Sequence, residues 1–272
     1  MFYWLIRGVV GPLMRAIYRP WVRGAEHVPG RGPAILAGNH LAVIDSFFLP
    51  IVISRRMYFI AKSDYFTGRG LKGRLVAGFM RGVGMIPVDR SGGKAAMASL
   101  AQGLKVLEKR HLFGIYPEGT RSPDGRLYRG KTGVARLALE SGAPVIPVAM
   151  IGTNLAQPIG KRIPKRIRVG IVFGEPMDFS QYAGRQDDRF VLRSVTDQIM
   201  YRLMELSGQE YVDVYAATMK ARLAAGAPAP EAEAEPVAPG GRPRPADLTE
   251  PEPPIEPDDT AGEPGSDQEK RK

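Results

Sequence analysis

Six short apolar runs, separated by stretches with helical spacing, constrain the fold more than any other feature of this chain. They are Ala34 to Gly38, Met57 to Ala61, Met85 to Val88, Leu112 to Tyr116, Val145 to Ile151 and Ile167 to Phe173. Between them lie Phe47 to Ser54, Leu71 to Arg81, Lys94 to Lys109 and Gly133 to Glu140, where apolar residues recur at helical intervals. A strand-length run without polar alternation buries both of its faces, and β-α alternation supplies the helices to cover them. The pattern predicts an α/β fold with a mostly parallel central sheet flanked by helices on both faces. Ligands of such sheets bind beyond the carboxyl ends of the strands, so polar residues that follow the runs deserve the closest reading. A further helix is expected over Arg189 to Leu206, and a second over Tyr211 to Leu223.

The two ends of the chain differ from this body. Residues 226–272 hold 11 of the 24 prolines and no aromatic residue, with 12 acidic against 5 basic side chains. Such a stretch cannot offset its ordering entropy by burial and is expected to be a disordered acidic tail. At the other end, residues 1–23 place Val9, Val10, Leu13, Met14, Ile17, Tyr18, Trp21 and Val22 at helical spacing among Arg7, Arg15, Arg19 and Arg23. That mixture of Trp, Tyr and Arg predicts an amphipathic helix lying in a membrane interface, although a helix covering the core would have similar spacing. The expected division is therefore 1–23 as interface segment, 24–225 as catalytic domain and 226–272 as tail.

Charge and composition narrow the partners. The tail carries −7 of a whole-chain +10, which leaves the first 225 residues at +17, a body that attracts anions such as lipid headgroups or phosphorylated small molecules. Its basic residues are not interleaved with an aromatic platform, so a nucleic-acid partner is not expected. The absence of cysteine excludes disulfides, zinc-thiolate sites and thiol catalysis. No segment reads as a transmembrane helix, because the longest uncharged stretch, Ser141 to Gly160, is broken by Pro144, Pro147 and Pro158. Two further basic regions, Leu71 to Arg81 and the cluster Lys161, Arg162, Lys165, Arg166 and Arg168, could meet lipid or an acidic protein, or could be a core helix and a solvated loop.

Three strand ends carry chemistry. The first run ends at Gly38 and is followed by Asn39-His40, with Asp45 five positions beyond the histidine. On a continuous helix that offset would rotate the two side chains apart, so the pair is expected to bridge a strand-end turn and the start of a helix. There Asp45 could hold the imidazole in one tautomer and stabilise its protonated form, making His40 a general base; alternatively it could simply cap the helix. The second strand end is Pro87-Val88-Asp89-Arg90, and the third is Tyr116-Pro117-Glu118-Gly119-Thr120-Arg121, followed by Arg129 and Lys131. Guanidinium groups bind phosphate through two parallel hydrogen bonds and a lysine adds a point charge. There is no Gly-x-Ser-x-Gly elbow, no metal-ligand spacing and no phosphate-binding Gly-rich loop, which points to direct attack by a substrate hydroxyl.

Four blocks in order now carry a resemblance: Asn39-His40 to Asp45, Gly84-Met85-Ile86-Pro87-Val88-Asp89-Arg90, Tyr116 to Arg121, and Val145-Ile146-Pro147-Val148. From about Gly24 to Phe179 the chain resembles the bacterial 1-acyl-glycerol-3-phosphate (lysophosphatidate) acyltransferases. Pro87 stands where many members carry an aromatic or aliphatic residue. The resemblance implies a glycerolphosphate acyltransferase-like fold and an enzyme that moves a fatty acyl group from acyl-CoA or acyl carrier protein to the sn-2 hydroxyl of lysophosphatidate. It implies His40 as base and Asp45 as its support, with Arg90, Arg121 and Lys131 on the substrate phosphate and Gly119 and Thr120 letting the backbone approach. Glu118 would orient an arginine or bind the glycerol moiety, and Asn39, grouped with these substrate-binding residues, would position the loop. No metal and no cofactor beyond the acyl-donor substrate is implied, and the place of work is the cytoplasmic face of an anionic bilayer, with the enzyme peripheral or monotopic. Glycerol 3-phosphate or another lysophospholipid would suit the same dyad, and an idle anionic-lipid-binding module would share the charge.

Overall fold

The computed structural model describes residues 2–88 and 95–226; Arg90 and the tail from residue 227 onward lie outside the described residues. The chain opens with helix α1 (Phe2–Tyr18) and a short strand, β1 (Trp21–Arg23). Next come β2 (Ala34–Gly38), α2 (Asp45–Val52), β3 (Met57–Lys62), α3 (Gly70–Gly82), β4 (Met85–Val88), α4 (Ala95–Glu108) and β5 (Leu112–Ile115). The second half runs through β6 (Leu127–Tyr128), α5 (Gly133–Ser141), β7 (Val145–Ile151), α6 (Thr153–Ala156), β8 (Gly170–Phe173), α7 (Arg189–Ser207), β9 (Tyr211–Val212) and α8 (Ala216–Ala224).

Seven of these strands form one sheet in the order β1-β8-β7-β2-β5-β3-β4. The five strands from β7 to β4 are parallel; β8 runs against β7, and β1 pairs with β8 in parallel. The mostly parallel sheet expected from the apolar runs is present, and β2 at its centre shows why. Its even residues Ala34 and Leu36 pack into one core with Phe48 of α2, Phe59 and Ile146. Its odd residues Ile35 and Ala37 pack into another with Leu107 of α4, Val134 of α5 and Val195 and Ile199 of α7. Strand alternation sends successive side chains to opposite faces, and both faces are roofed by helices. Each fully buried aliphatic or Phe side chain contributes roughly 1.5–3 kcal/mol, so the two cores dominate stability. Gly114 of β5 leaves room for a ring: a Cβ there would lie 2.2 Å from Phe59. Pro87 sits on β4, an edge strand, where its missing N–H breaks no ladder.

Two expectations need correction. The boundary placed after Arg23 falls inside the sheet, because Trp21, Val22 and Arg23 form β1 and pair with Gly170, Ile171 and Val172. The interface segment and the domain are thus one folded unit. Part of the basic cluster at 161–168 is not a solvated loop: Arg166 donates to the carbonyl of Ile17 (3.1 Å) and Arg168 to that of Arg19 (2.9 Å). Guanidinium groups here satisfy carbonyls at the end of α1 that have no helical partner, and their charge suits the negative end of the helix. Helix α1 packs against α3, and Val9, Leu13 and Ile17 on the first helix remain exposed, as do Leu71, Leu75 and Val76 on the second. No helix among the described residues is long and apolar enough to cross a membrane.

Candidate active site

The carboxyl edge of the parallel strands brings two turns together. At the end of β2, Asn39 behaves as an extra strand residue: its side-chain Oδ1 accepts from Met150 N–H (2.7 Å) and its Nδ2 donates to the Met150 carbonyl (3.1 Å). The same Nδ2 donates to Gln209 Oε1 at 2.6 Å. Asn39 is fully buried, so it braces the turn from below and does not line a substrate surface, which corrects its grouping with the substrate-binding residues.

Beyond it, Asp45 opens α2 and folds the preceding turn around itself. Its Oδ2 accepts from Leu41 N–H and Ala42 N–H (both 2.8 Å) and meets His40 Nδ1 at 3.0 Å. Asp45 is wholly buried, while the His40 side chain keeps 17% of its surface exposed. The five-residue offset therefore bridges turn and helix start as the spacing predicts. An ionised carboxylate only accepts, so Nδ1 carries the ring proton and Nε2 is left as the basic nitrogen. A second constraint comes from Tyr116, whose ring stacks on the imidazole at 3.9 Å between centroids and 7° between planes. The Tyr116 hydroxyl pairs with Ser46 Oγ at 2.9 Å, and burial, reinforced by the nearby Asp45 charge, pushes its pKa well up, so it stays a neutral phenol. Held at one edge and one face, the ring has a single orientation.

The second turn follows β5. Gly119 adopts φ +74°, a conformation that disfavours any residue with a Cβ, and its N–H closes the turn onto the Tyr116 carbonyl at 3.0 Å. The Lys131 side chain lies across it, since a Cβ on Gly119 would stand 3.2 Å from Lys131 Nζ. Ser122 N–H donates to the His40 carbonyl (2.7 Å), which locks the two turns to each other. Glu118 completes the lock from beneath: Oε1 accepts from His40 N–H (3.0 Å) and Oε2 from Tyr128 N–H (3.1 Å). Among the described residues it orients no arginine, and it is buried away from any open surface, which corrects the expectation for it. Burial pushes this carboxyl up to about 8, against the pull of the two amide donors.

Arg121 and Lys131 remain at the rim, and Arg90 lies outside the described residues. The structure adds a cation that spacing did not single out: Lys220 of α8 donates to Thr120 Oγ1 at 2.6 Å. Thr120 thereby offers its side chain as well as its backbone. Nearby arginines are paired, Arg126 with Asp124 (2.8 Å) and Arg129 with Asp213 (3.5 Å). Among the described residues no carboxylate forms an ion pair with Arg121, Lys131 or Lys220. Beyond Lys220, sequence reasoning missed Tyr116 as the stacking partner, Gln157, which accepts from Ile44 N–H (3.1 Å), and Gln209, which donates to the Gly125 carbonyl (2.5 Å). Only Tyr116, which immediately precedes Pro117, had a sequence signal. No cluster of three or more metal-ligating side chains occurs among the described residues.

Comparison with known proteins finds similarity to acyltransferases. Residues 19–151 match the family model described as Acyltransferase. A 1-acyl-sn-glycerol-3-phosphate acyltransferase of Limnanthes alba is 31% identical over 173 residues, covering 62% of this chain and 58% of that protein. A protein of the same description from Bacillus subtilis is 25% identical over 190 residues, covering 69% of this chain and 88% of its own length. The crystal structure of the 1-acyl-sn-glycerophosphate (LPA) acyltransferase of Thermotoga maritima shares the fold, with a TM-score of 0.55 at 24% identity over 74% of this chain and 77% of that one. The chain thus spans somewhat over half the length of the plant relative and most of the bacterial one. The matched span holds both turns of the sheet edge, the imidazole-carboxylate pair and the Glu118 to Arg121 segment, and over that span the chain is similar to the acyltransferase family.

Proposed function

We propose that this chain transfers a fatty acyl group from the thioester of acyl-CoA or acyl carrier protein to the sn-2 hydroxyl of 1-acyl-glycerol 3-phosphate, giving phosphatidic acid. The observation that carries the reading is a partly exposed imidazole, held by a buried aspartate, beside a turn whose cations form no ion pair with a carboxylate among the described residues. His40 Nε2 takes the proton of the sn-2 hydroxyl as its oxygen attacks the thioester carbonyl, and Asp45 stabilises the imidazolium that forms. The tetrahedral intermediate then expels the thiolate, which takes the proton back from His40 and leaves as the thiol. The new ester bond replaces the thioester bond, and the imidazole returns to its starting state. Because hydroxyl activation is assigned to an imidazole, the transfer needs no bound metal. Arg121 and Lys131, joined by Arg90, hold the phosphate; a dianion between cations gains charge-assisted hydrogen bonds.

The acceptor is an amphiphile, so the active edge must reach a bilayer. We assign that contact to the exposed apolar side chains of α1 and α3, with Lys72, Arg74 and Arg81 meeting anionic headgroups, each well-placed cation adding about 1 kcal/mol. The enzyme then works as a peripheral protein on the face where acyl-CoA or acyl carrier protein is found, the cytoplasmic one. The test is thiol release from palmitoyl-CoA by purified protein given lysophosphatidate, glycerol 3-phosphate or lysophosphatidylcholine in parallel. Release that requires lysophosphatidate and disappears in His40→Ala is expected. Release with glycerol 3-phosphate alone would reassign the acceptor, and liposome binding without release from any acceptor would replace the enzyme with a lipid-binding module.

A further inference from the structure

Helix α8 lies beyond the span matched to the family, yet it delivers a cation to the active edge. Its rotation is fixed by a small core in which fully buried Ala216 and Met219 pack with Tyr128 and Val212. Lys220 is four residues from Ala216 and adjacent to Met219, so it belongs to the inward stripe of the helix, where lysine is rarely placed. Strands β6 and β9 pair in parallel, Leu127 with Tyr211 and Tyr128 with Val212, and bring α8 back to the turn that Glu118 braces. There Nζ spends one of its three N–H donors on the Thr120 hydroxyl (2.6 Å). Its neighbour Arg121 carries the same sign. Burial first, then the Arg121 charge, lower the Lys220 pKa, while Glu118 partly offsets them. Two like charges pressed together without an ion-paired carboxylate do not stabilise a helix contact; they are a sink for an anion.

We propose that Lys220 is a further binding residue for the phosphate of the acceptor, closing from the C-terminal helix a cationic cradle whose other walls are Arg121 and Lys131. This rests on the lysophosphatidate reading above and adds to it a phosphate ligand from outside the matched family span. The ammonium donates to a phosphate oxygen while Thr120 holds the side chain in line, and the anion relieves the repulsion between Lys220 and Arg121. The donor thioester is not involved.

The test compares Lys220→Met and Lys220→Arg with the wild-type full chain in the thiol-release assay. Lys220→Met is expected to raise KM for lysophosphatidate about tenfold, the loss of one charge-assisted hydrogen bond, with kcat within about twofold and KM for palmitoyl-CoA unchanged. Its melting temperature should equal or exceed that of the wild type, since a repulsion has been removed, and Lys220→Arg should keep most of the affinity. A structural lysine would give the opposite pattern, with lower stability and equal loss toward both substrates, and that result overturns the proposal, as does an unchanged KM for lysophosphatidate. Acetylation of Lys220 in the wild-type protein, read by peptide mass spectrometry, is a second measurement that depends on no variant folding. Lysophosphatidate should slow it and 1-monoacylglycerol, which lacks the phosphate, should not; equal rates with both overturn the proposal. Wild-type protein without lysophosphatidate-dependent release would sink the underlying reading instead, and the two failures are distinguishable.

Discussion

Asp45 and Glu118 are two buried carboxylates on adjacent turns of the same sheet edge, and each accepts two backbone N–H donors. Only Asp45 also meets an imidazole. Both spend hydrogen bonds on shaping a turn, but one passes its charge to a group that faces the opening and the other remains closed in, its proton affinity raised by burial. A carboxylate within a reactive-looking segment is therefore no guide to its own role; the partner it orients is. The cations at the rim make the complementary point, because those left without carboxylates are the ones available to an anionic ligand.

Four substitutions put the contrast between these groups to the test. His40→Ala removes the base itself and should lower kcat by about 10³-fold or more without shifting the melting temperature, as single-turnover thiol release would show. Asp45→Asn should lose about 10²–10³ in kcat through loss of the charge that supports the imidazolium, and also about 1–3 kcal/mol of stability, since the amide NH2 is either buried without an acceptor or turned onto the three donors that now meet Oδ2; parallel denaturant titrations separate the two losses. Arg121→Ala should raise KM for lysophosphatidate about tenfold while leaving kcat within a few fold.

Glu118→Gln is the sharpest contrast with Asp45→Asn, because kcat should stay within about threefold while stability responds to pH. The folded chain holds the Glu118 proton up to about 8, above the ordinary carboxyl range, so this stabilisation is complete below about pH 4.5 and is lost as pH rises through 8. The variant lacks that titration. Its deficit of about 1–3 kcal/mol at low pH should narrow between pH 5 and 9, and denaturant midpoints across that range measure it. A gap that stays constant across that range would mean that Glu118 is ionised throughout.

Much of this was legible in the chain. The sheet could be read because β2, β5 and β7 are short and apolar on both faces, a pattern few other structures tolerate. The His40–Asp45 bridge could be read because a five-residue offset excludes a continuous helix. Strand β1 could not: three residues, Trp21 to Arg23, carry no period of their own and merge with the helical spacing before them. Asn39 and Glu118 were misread because their partners, Met150 and Tyr128, come from other strands, and a polar residue in a strand-end segment looks the same whether it faces a ligand or another backbone. Lys220 was invisible for a related reason. The periodicity of 211–223 indicates a helix, but only the packing of Met219 and Ala216 says which way it faces.

The parallel stacking of Tyr116 on His40 has an energetic meaning of its own. Against a neutral imidazole the phenol ring is an ordinary packing partner. Once the imidazole has captured a proton, the electron-rich face of that ring lies under a delocalised positive charge and attracts it. In the proposed reaction that extra attraction would arise as the proton moves and fade when the thiol departs, so the tyrosine would lower the barrier while adding little to the affinity for either substrate.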